Sequence, residues 1–162
     1  MHIKNLLVPT DFSPSSAPAL VVAQSLARDQ GAKIHLLHVL PPLPEQGQVM
    51  MAYAFEDEEA IAARRQIDAL AAGASDLAIE RHLVRGEPID QILRAAGERS
   101  ADLIVIGTHG RKGLTHLLMG SIAEGVLRRA ECPVLTVKPP PRPTPSPTIV
   151  DAAGAFGQPP IP

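Results

Sequence analysis

Four glycines and a serine carry the spacing that most suggests chemistry. In the segment DLIVIGTHGRKGLTHLLMGSIAEGVLRR, residues 102–129, Gly107 closes an apolar run, Gly110 and Gly113 follow at intervals of three, and Gly120 stands directly before Ser121. Backbone without side chains at a strand's end and a helix's start offers amide donors. The helix dipole adds to their pull on an anion, and phosphate is the usual occupant. The standard phosphate motifs are not met. The chain has no G-x-G-x-x-G, and Gly120 and Gly125 are followed by Val126 and Leu127 where a P-loop needs Lys and Ser or Thr. SIAE offers Ser121 and Glu124 as a capping box for the last helix. From these residues alone, a phosphate cradle and a set of turn and cap residues are equally open readings.

Other reactive side chains are less organised. His35 and His38 lie three apart on a strand and so point to opposite faces, which prevents them from sharing a metal. His2, His82 and His116 are scattered, so no metal centre is expected among the histidines. Cys132, before PVLTV, is the single cysteine, and its expected work is packing, not nucleophilic attack. The runs EDEE and RR are solvated helix faces.

The elements that must position these residues follow from periodicity. Apolar runs at 3–8, 34–40, 77–84, 103–106 and 134–137 predict strands, several of them apolar on both faces as a covered parallel sheet requires. Helices are expected between them. Ser13 and Pro14 would open the first, although Pro18 then falls just past the free first turn and implies a later start or a bend. The second is expected over 53–72, with Ala60, Ala63, Ile67 and Leu70 on one stripe. Pro88 would open the third and Ser121 the fourth. Five strands alternating with four helices predict a doubly wound α/β fold in one domain. A length of 162 residues suits that single core.

Two segments break the rhythm. Residues 41–57 leave the end of the second strand, where ligands of open α/β sheets bind, and could form a lid. From 139 to 162, nine of 24 residues are proline, which predicts an extended or mobile tail outside a domain of residues 1–138. With 15 basic and 17 acidic residues and only four aromatics, the chain lacks a nucleic-acid footprint. No apolar run is long enough to span a membrane. The lone cysteine and the absence of a leader-like start imply a reducing, cytoplasmic setting.

Taken with their surroundings, the glycines fit a known pattern. Gly107, Gly110, Gly120 and Ser121 reproduce G-x2-G-x9-G-(S/T). VPTDFSPSS, LLHVL, GEPIDQIL, ADLIVIGTHGRKGL and MGSIAEGVLRRAECPVLTVK follow in matching order over nearly all of residues 1–138. In these respects the chain resembles the ATP-binding branch of the universal stress protein family. The resemblance implies a five-stranded sheet in order 3-2-1-4-5, a nucleotide pocket between strands one and four, and a homodimer joined through residues 133–138.

It also implies roles for residues. Pro9, Thr10 and Asp11 would line the adenosine side, with Asp11 near the ribose or holding Mg²⁺ (or Mn²⁺) brought by ATP. The Val39 backbone would read the adenine edge. Gly107, His109 and Gly110 would approach the ribose and α-phosphate, while Gly120, Ser121 and Ile122 would hold the outer phosphates. Gly125 departs from good helix chemistry, by up to ~1 kcal/mol relative to alanine. No catalytic residue is assigned, since Arg111 and Lys112 are the only cations near the motif.

The function so implied is that of an ATP-binding stress or signalling protein whose nucleotide occupancy alters conformation or partner contacts, with slow hydrolysis at most. A genuine ATP-hydrolysing or phosphoryl-transferring enzyme would need positioned charge stabilisation and an activated water. A binder of another nucleotide-derived ligand is the further alternative, because phosphate cradles do not read the base.

Overall fold

A computed structural model of the chain describes residues 2–42, 58–108 and 119–138. Its elements alternate: β1 (Asn5–Pro9), α1 (Ala17–Gln30), β2 (Lys33–Leu40), α2 (Glu58–Ala72), β3 (Ile79–Arg85), α3 (Pro88–Glu98), β4 (Leu103–Gly107), α4 (Ser121–Arg129) and β5 (Val134–Val137). The strands form one parallel sheet in the order β3-β2-β1-β4-β5, as expected. The strand ends expected from the sequence shift by one or two residues, and the expected start of α2 at residue 53 lies outside the described residues.

Period-two alternation sends each strand's apolar residues to both faces, which explains why the runs are so continuously hydrophobic. On one face, Leu6, Val8, Ile34, Leu36 and Val105 pack against Ala19, Leu20 and Ala23 of α1 and Ile67 of α2. On the other, Leu7, Leu37, Ile104 and Ile106 meet Ile92, Ala95 and Ala96 of α3 and Ala123 and Val126 of α4. Small residues on the helices let them sit close to a fully covered sheet. Among the described residues, no helix is long and apolar enough to cross a membrane.

Helix α1 starts later than Ser13 and Pro14 suggest. Residues 13–16 form a turn, in which the Ser16 amide and hydroxyl both donate to the Ser13 carbonyl at 3.0 Å. Helical structure begins at Ala17, which places Pro18 within the first turn, where its missing N–H has no helical partner to lose. Gly125 also finds its reason here. A Cβ on it would run into Ile89 Cδ1 and lie 3.2 Å from Ile89 Cγ1, so its bare backbone is where α3 and α4 approach.

Candidate functional site

The sheet order reverses direction between β1 and β4, and at such a switch point the connections diverge and leave a crevice beyond the strands' C-terminal ends. A cavity of about 630 Å³ occupies that place. Its walls come from the ends of β1, β2 and β4, from α2, and from the starts of α3 and α4. It is within the range of small-molecule and cofactor sites.

Of the residues expected in the site, Pro9, Thr10, Asp11, Val39, Gly107, Gly120, Ser121 and Ile122 all line this cavity. They come from four separate stretches of sequence. His109 and Gly110 lie outside the described residues, as do Gly113, Arg111, Lys112, His116 and residues 43–57 of the expected lid.

After β1 the chain is held by its own side chains. The Thr10 amide donates to the Leu37 carbonyl at 2.8 Å, ending the ladder, and the Thr10 carbonyl accepts from His38 Nδ1 at 2.7 Å. Asp11 Oδ1 accepts from both the amide and the hydroxyl of Ser13, at 3.0 and 2.6 Å, so this carboxylate shapes the loop as well as facing the cavity. Phe12 adopts a left-handed backbone with φ of 64°, uncommon for a side chain of its size. Its amide donates to Thr10 Oγ1 at 3.1 Å and its ring stacks on His38 with centroids 4.1 Å apart. Those contacts hold the unfavourable conformation in place.

The orientation of Val39 follows from strand alternation. Leu37 O accepts from β1's successor Thr10, whereas Leu40 O accepts from Gly86 after β3. Backbone groups of odd-numbered β2 residues therefore face the β1 side. Val39, two residues past the last paired position Pro9↔Leu37, turns its amide and carbonyl toward the side that β1 has vacated.

At the opposite wall, the Gly120 amide donates to the Thr108 carbonyl at 2.7 Å and so ties the start of α4 to the end of β4. The capping box expected from Ser121 and Glu124 does not form. Gly120 is the N-cap, in an extended conformation with φ −61° and ψ 146°, and it has no side chain to cap with. Ser121 is already helical, and Glu124 instead pairs with Arg128 one turn on, at 2.9 Å. The first amides of α4 are thus left to another acceptor, at a helix end that carries partial positive charge.

Several lining residues escaped the sequence reading. Phe12, Ser16 and Thr108 flank the ends of β1 and β4, His38 reaches the cavity from β2, and Glu59, Ala63 and Gln66 line it from α2. The spacing of those last three at helical intervals was a usable signal, but only once α2 was known to border the cleft. The described lining contains the carboxylates Asp11 and Glu59 and no lysine or arginine.

Two expectations about isolated side chains turn out differently from each other. Cys132 is half-buried and packs against the α3 and α4 face, where burial pushes its thiol up. His35 and His38 do face opposite sides of the sheet. His82, however, is not isolated: β3 carries it to His35, with 3.2 Å between Nδ1 of His35 and Nε2 of His82.

Comparison with known proteins places the chain. The model of the universal stress protein family matches residues 2–138. Universal stress protein MJ0531 of Methanocaldococcus jannaschii is 33% identical over 142 residues, covering 85% of this chain and 83% of the relative. Among solved structures, MJ0577 of the same organism superposes with a TM-score of 0.72 at 27% identity, over 85% of this chain and 97% of that one. A universal stress protein in complex with cAMP gives a TM-score of 0.66 at 29% identity, over 86% and 99%. The universal stress protein from Archaeoglobus fulgidus in complex with dAMP gives 0.64 at 26%, over 85% and 100%.

Proposed function

The chain belongs to the universal stress protein family, and from that premise we propose that it binds ATP in the cleft between β1 and β4, nucleotide occupancy altering conformation or partner contacts, with slow hydrolysis at most. The observation that carries this reading is that one cavity receives both the uncapped start of α4 and the side of β2 to which Val39 turns its backbone. The first suits phosphate and the second suits the edge of a base.

In this reading the Val39 carbonyl accepts from the adenine amino group and its amide donates to the neighbouring ring nitrogen. Pro9 and Thr10 pack against the adenosine, and Asp11 faces the ribose or a Mg²⁺ or Mn²⁺ ion carried with the nucleotide. Gly107, with His109 and Gly110, approaches the ribose and α-phosphate, and Gly120, Ser121 and Ile122 meet the outer phosphates. A bound divalent ion would neutralise phosphate charge, for which the described lining offers amides and a helix end but no cationic side chain. Rapid hydrolysis would need positioned positive charge and an activated water, and this reading assigns neither role to a described residue.

A second reading is another adenine nucleotide as the physiological ligand. It is favoured by the two similar structures whose ligands, cAMP and dAMP, share adenine with a single phosphate. Either ligand would occupy a domain of residues 1–138, with two chains joined along β5 in a cytoplasmic homodimer; the tail expected over 139–162 lies outside the described residues.

The test begins by denaturing the purified full-length protein and identifying what is released by mass spectrometry, followed by calorimetry with ATP and GTP. ATP should bind more tightly, by ~1–3 kcal/mol for each guanine group left unpaired against Val39. Equal affinities would remove the base-reading role. Turnover with Mg²⁺ at ~1 s⁻¹ or faster, the range of ordinary enzymes, would overturn slow hydrolysis.

A further inference from the structure

We propose that His35, Glu80 and His82 form a binding site for one divalent transition-metal ion of the zinc class, distinct from the nucleotide cleft. None of the three lines that cleft. The register of β2 and β3 sets His35 beside Glu80 and Leu37 beside His82, so the three side chains share the sheet face covered by α3. His35 and His82 are diagonal neighbours on adjacent strands, within reach of long side chains.

The donor atoms stand at a metal's spacing. His35 Nδ1 is 3.2 Å from His82 Nε2 and 3.3 Å from Glu80 Oε2, and His82 Nε2 is 3.8 Å from the same oxygen. Ligands at about 2.0–2.2 Å around a tetrahedral ion are separated from each other by about 3.3–3.6 Å. The three atoms therefore already mark one face of such a tetrahedron to within a few tenths of an ångström. The fourth corner is left for water on the side where Glu80 is half exposed.

Neighbouring groups support the ligands. His35 Nε2 lies 3.4 Å from Asn5 Oδ1, so an ion on Nδ1 would leave the other ring nitrogen with its proton and an acceptor to receive it. Glu80 Oε1 accepts from Lys33 Nζ at 2.7 Å, which fixes the carboxylate while Oε2 faces the two rings. Burial holds both imidazoles below the ordinary histidine value, and the Lys33 hydrogen bond holds Glu80 below the ordinary carboxylate value. Without an ion, one of the two facing ring nitrogens carries a proton, which metal binding would move to the far side of its ring or release. Two imidazoles and one carboxylate suit Zn²⁺, Ni²⁺ or Cu²⁺ over the all-oxygen preference of Mg²⁺ or Ca²⁺.

Two positive charges act against a cation. Lys33 sits on the far carboxylate oxygen, and Arg99, at the end of α3, is close enough to disfavour protonation of both rings. These charges weaken the site, and a bound ion would pin β3, the outer strand of the sheet, to β2 and through Asn5 to β1.

The experiment titrates nucleotide-free, full-length protein with Zn²⁺ by calorimetry and with Co²⁺ by visible absorption. One equivalent should bind, and Co²⁺ should develop the bands of a tetrahedral site. His82→Gln should weaken binding at least tenfold with the far-ultraviolet circular dichroism unchanged. Should that variant not fold, Glu80→Gln at the exposed carboxylate gives the same reading. Arg99→Gln should tighten binding several-fold, since it removes a repelling charge, whereas weakening would mark the cluster as an anion site and overturn the proposal. Absence of saturable binding, or loss in His2→Gln with retention in His82→Gln, would also overturn it, the latter by moving the ion to the chain's start.

Discussion

A Cβ placed on Gly107 would lie 2.7 Å from the Ser15 carbonyl oxygen and 3.2 Å from Ser16 Cα, so the end of β4 and the turn before α1 fit together only because position 107 has no side chain. The partner is backbone, which cannot swing aside as the end of a long side chain can. Gly107 thereby lets the loop carrying Thr10, Asp11 and Phe12 close over one side of the cleft.

Gly107→Ala should therefore destabilise the fold by ~1–3 kcal/mol, the usual penalty for overpacking. It should also weaken ATP binding by displacing the Asp11 loop. Urea denaturation measures the first effect and calorimetry the second. Unchanged stability would mean that the loop and β4 are less tightly joined than these distances imply.

Asp102 predicts a pH effect. Its Oδ2 accepts from the amides of Asn5 and Lys4, at 2.9 and 2.7 Å, and those bonds hold its carboxyl below the ordinary 3.8. A depressed folded value means stability that is complete above the unfolded value and is lost as pH falls through the folded one. Asp102→Ala should cost ~1–2 kcal/mol near neutral pH by leaving the Asn5 amide without that partner. The gap between wild type and variant should stay constant down to about pH 4 and close below it. A gap that instead widened on acidification would show that the carboxylate is not the acceptor.

Edge chemistry separates assembly from folding. Ile104 and Thr108 donate to the carbonyls of Pro133 and Val137, so odd-numbered residues of β5 face β4 and Thr136 turns its amide outward. Leu135, beside it, is exposed. Proline at Thr136 removes an outward donor and spares the β4 ladder. If two chains pair along β5, Thr136→Pro should give folded monomers by light scattering, and a persisting dimer would put the contact elsewhere.

Much of this architecture was legible in the sequence because a buried parallel sheet writes itself as apolar runs of strand length separated by helical stripes. Gly107, Gly120 and Ser121 were legible through their fixed spacing across a strand and a helix. What was not legible depended on register or on a competition between local interactions. His35 and His82 are 47 positions apart and meet only through the alignment of β2 with β3. Ser121 could have capped α4, but Gly120 takes that place and Glu124 is drawn to Arg128. Glu59 and Gln66 border the cleft because of how α2 is set against the sheet, which its own sequence does not state.

The most direct test of the nucleotide site is the ATP affinity of Gly120→Val. Gly120 has a negative φ and an extended ψ that valine adopts without strain, so the variant should fold, as circular dichroism and a thermal melt will show. The added side chain would crowd the cavity wall at the start of α4, where the outer phosphates are placed. ATP affinity should fall at least about 100-fold, or ~2.7 kcal/mol. A folded Gly120→Val protein that binds ATP as tightly as wild type would contradict the account and move the phosphates away from α4.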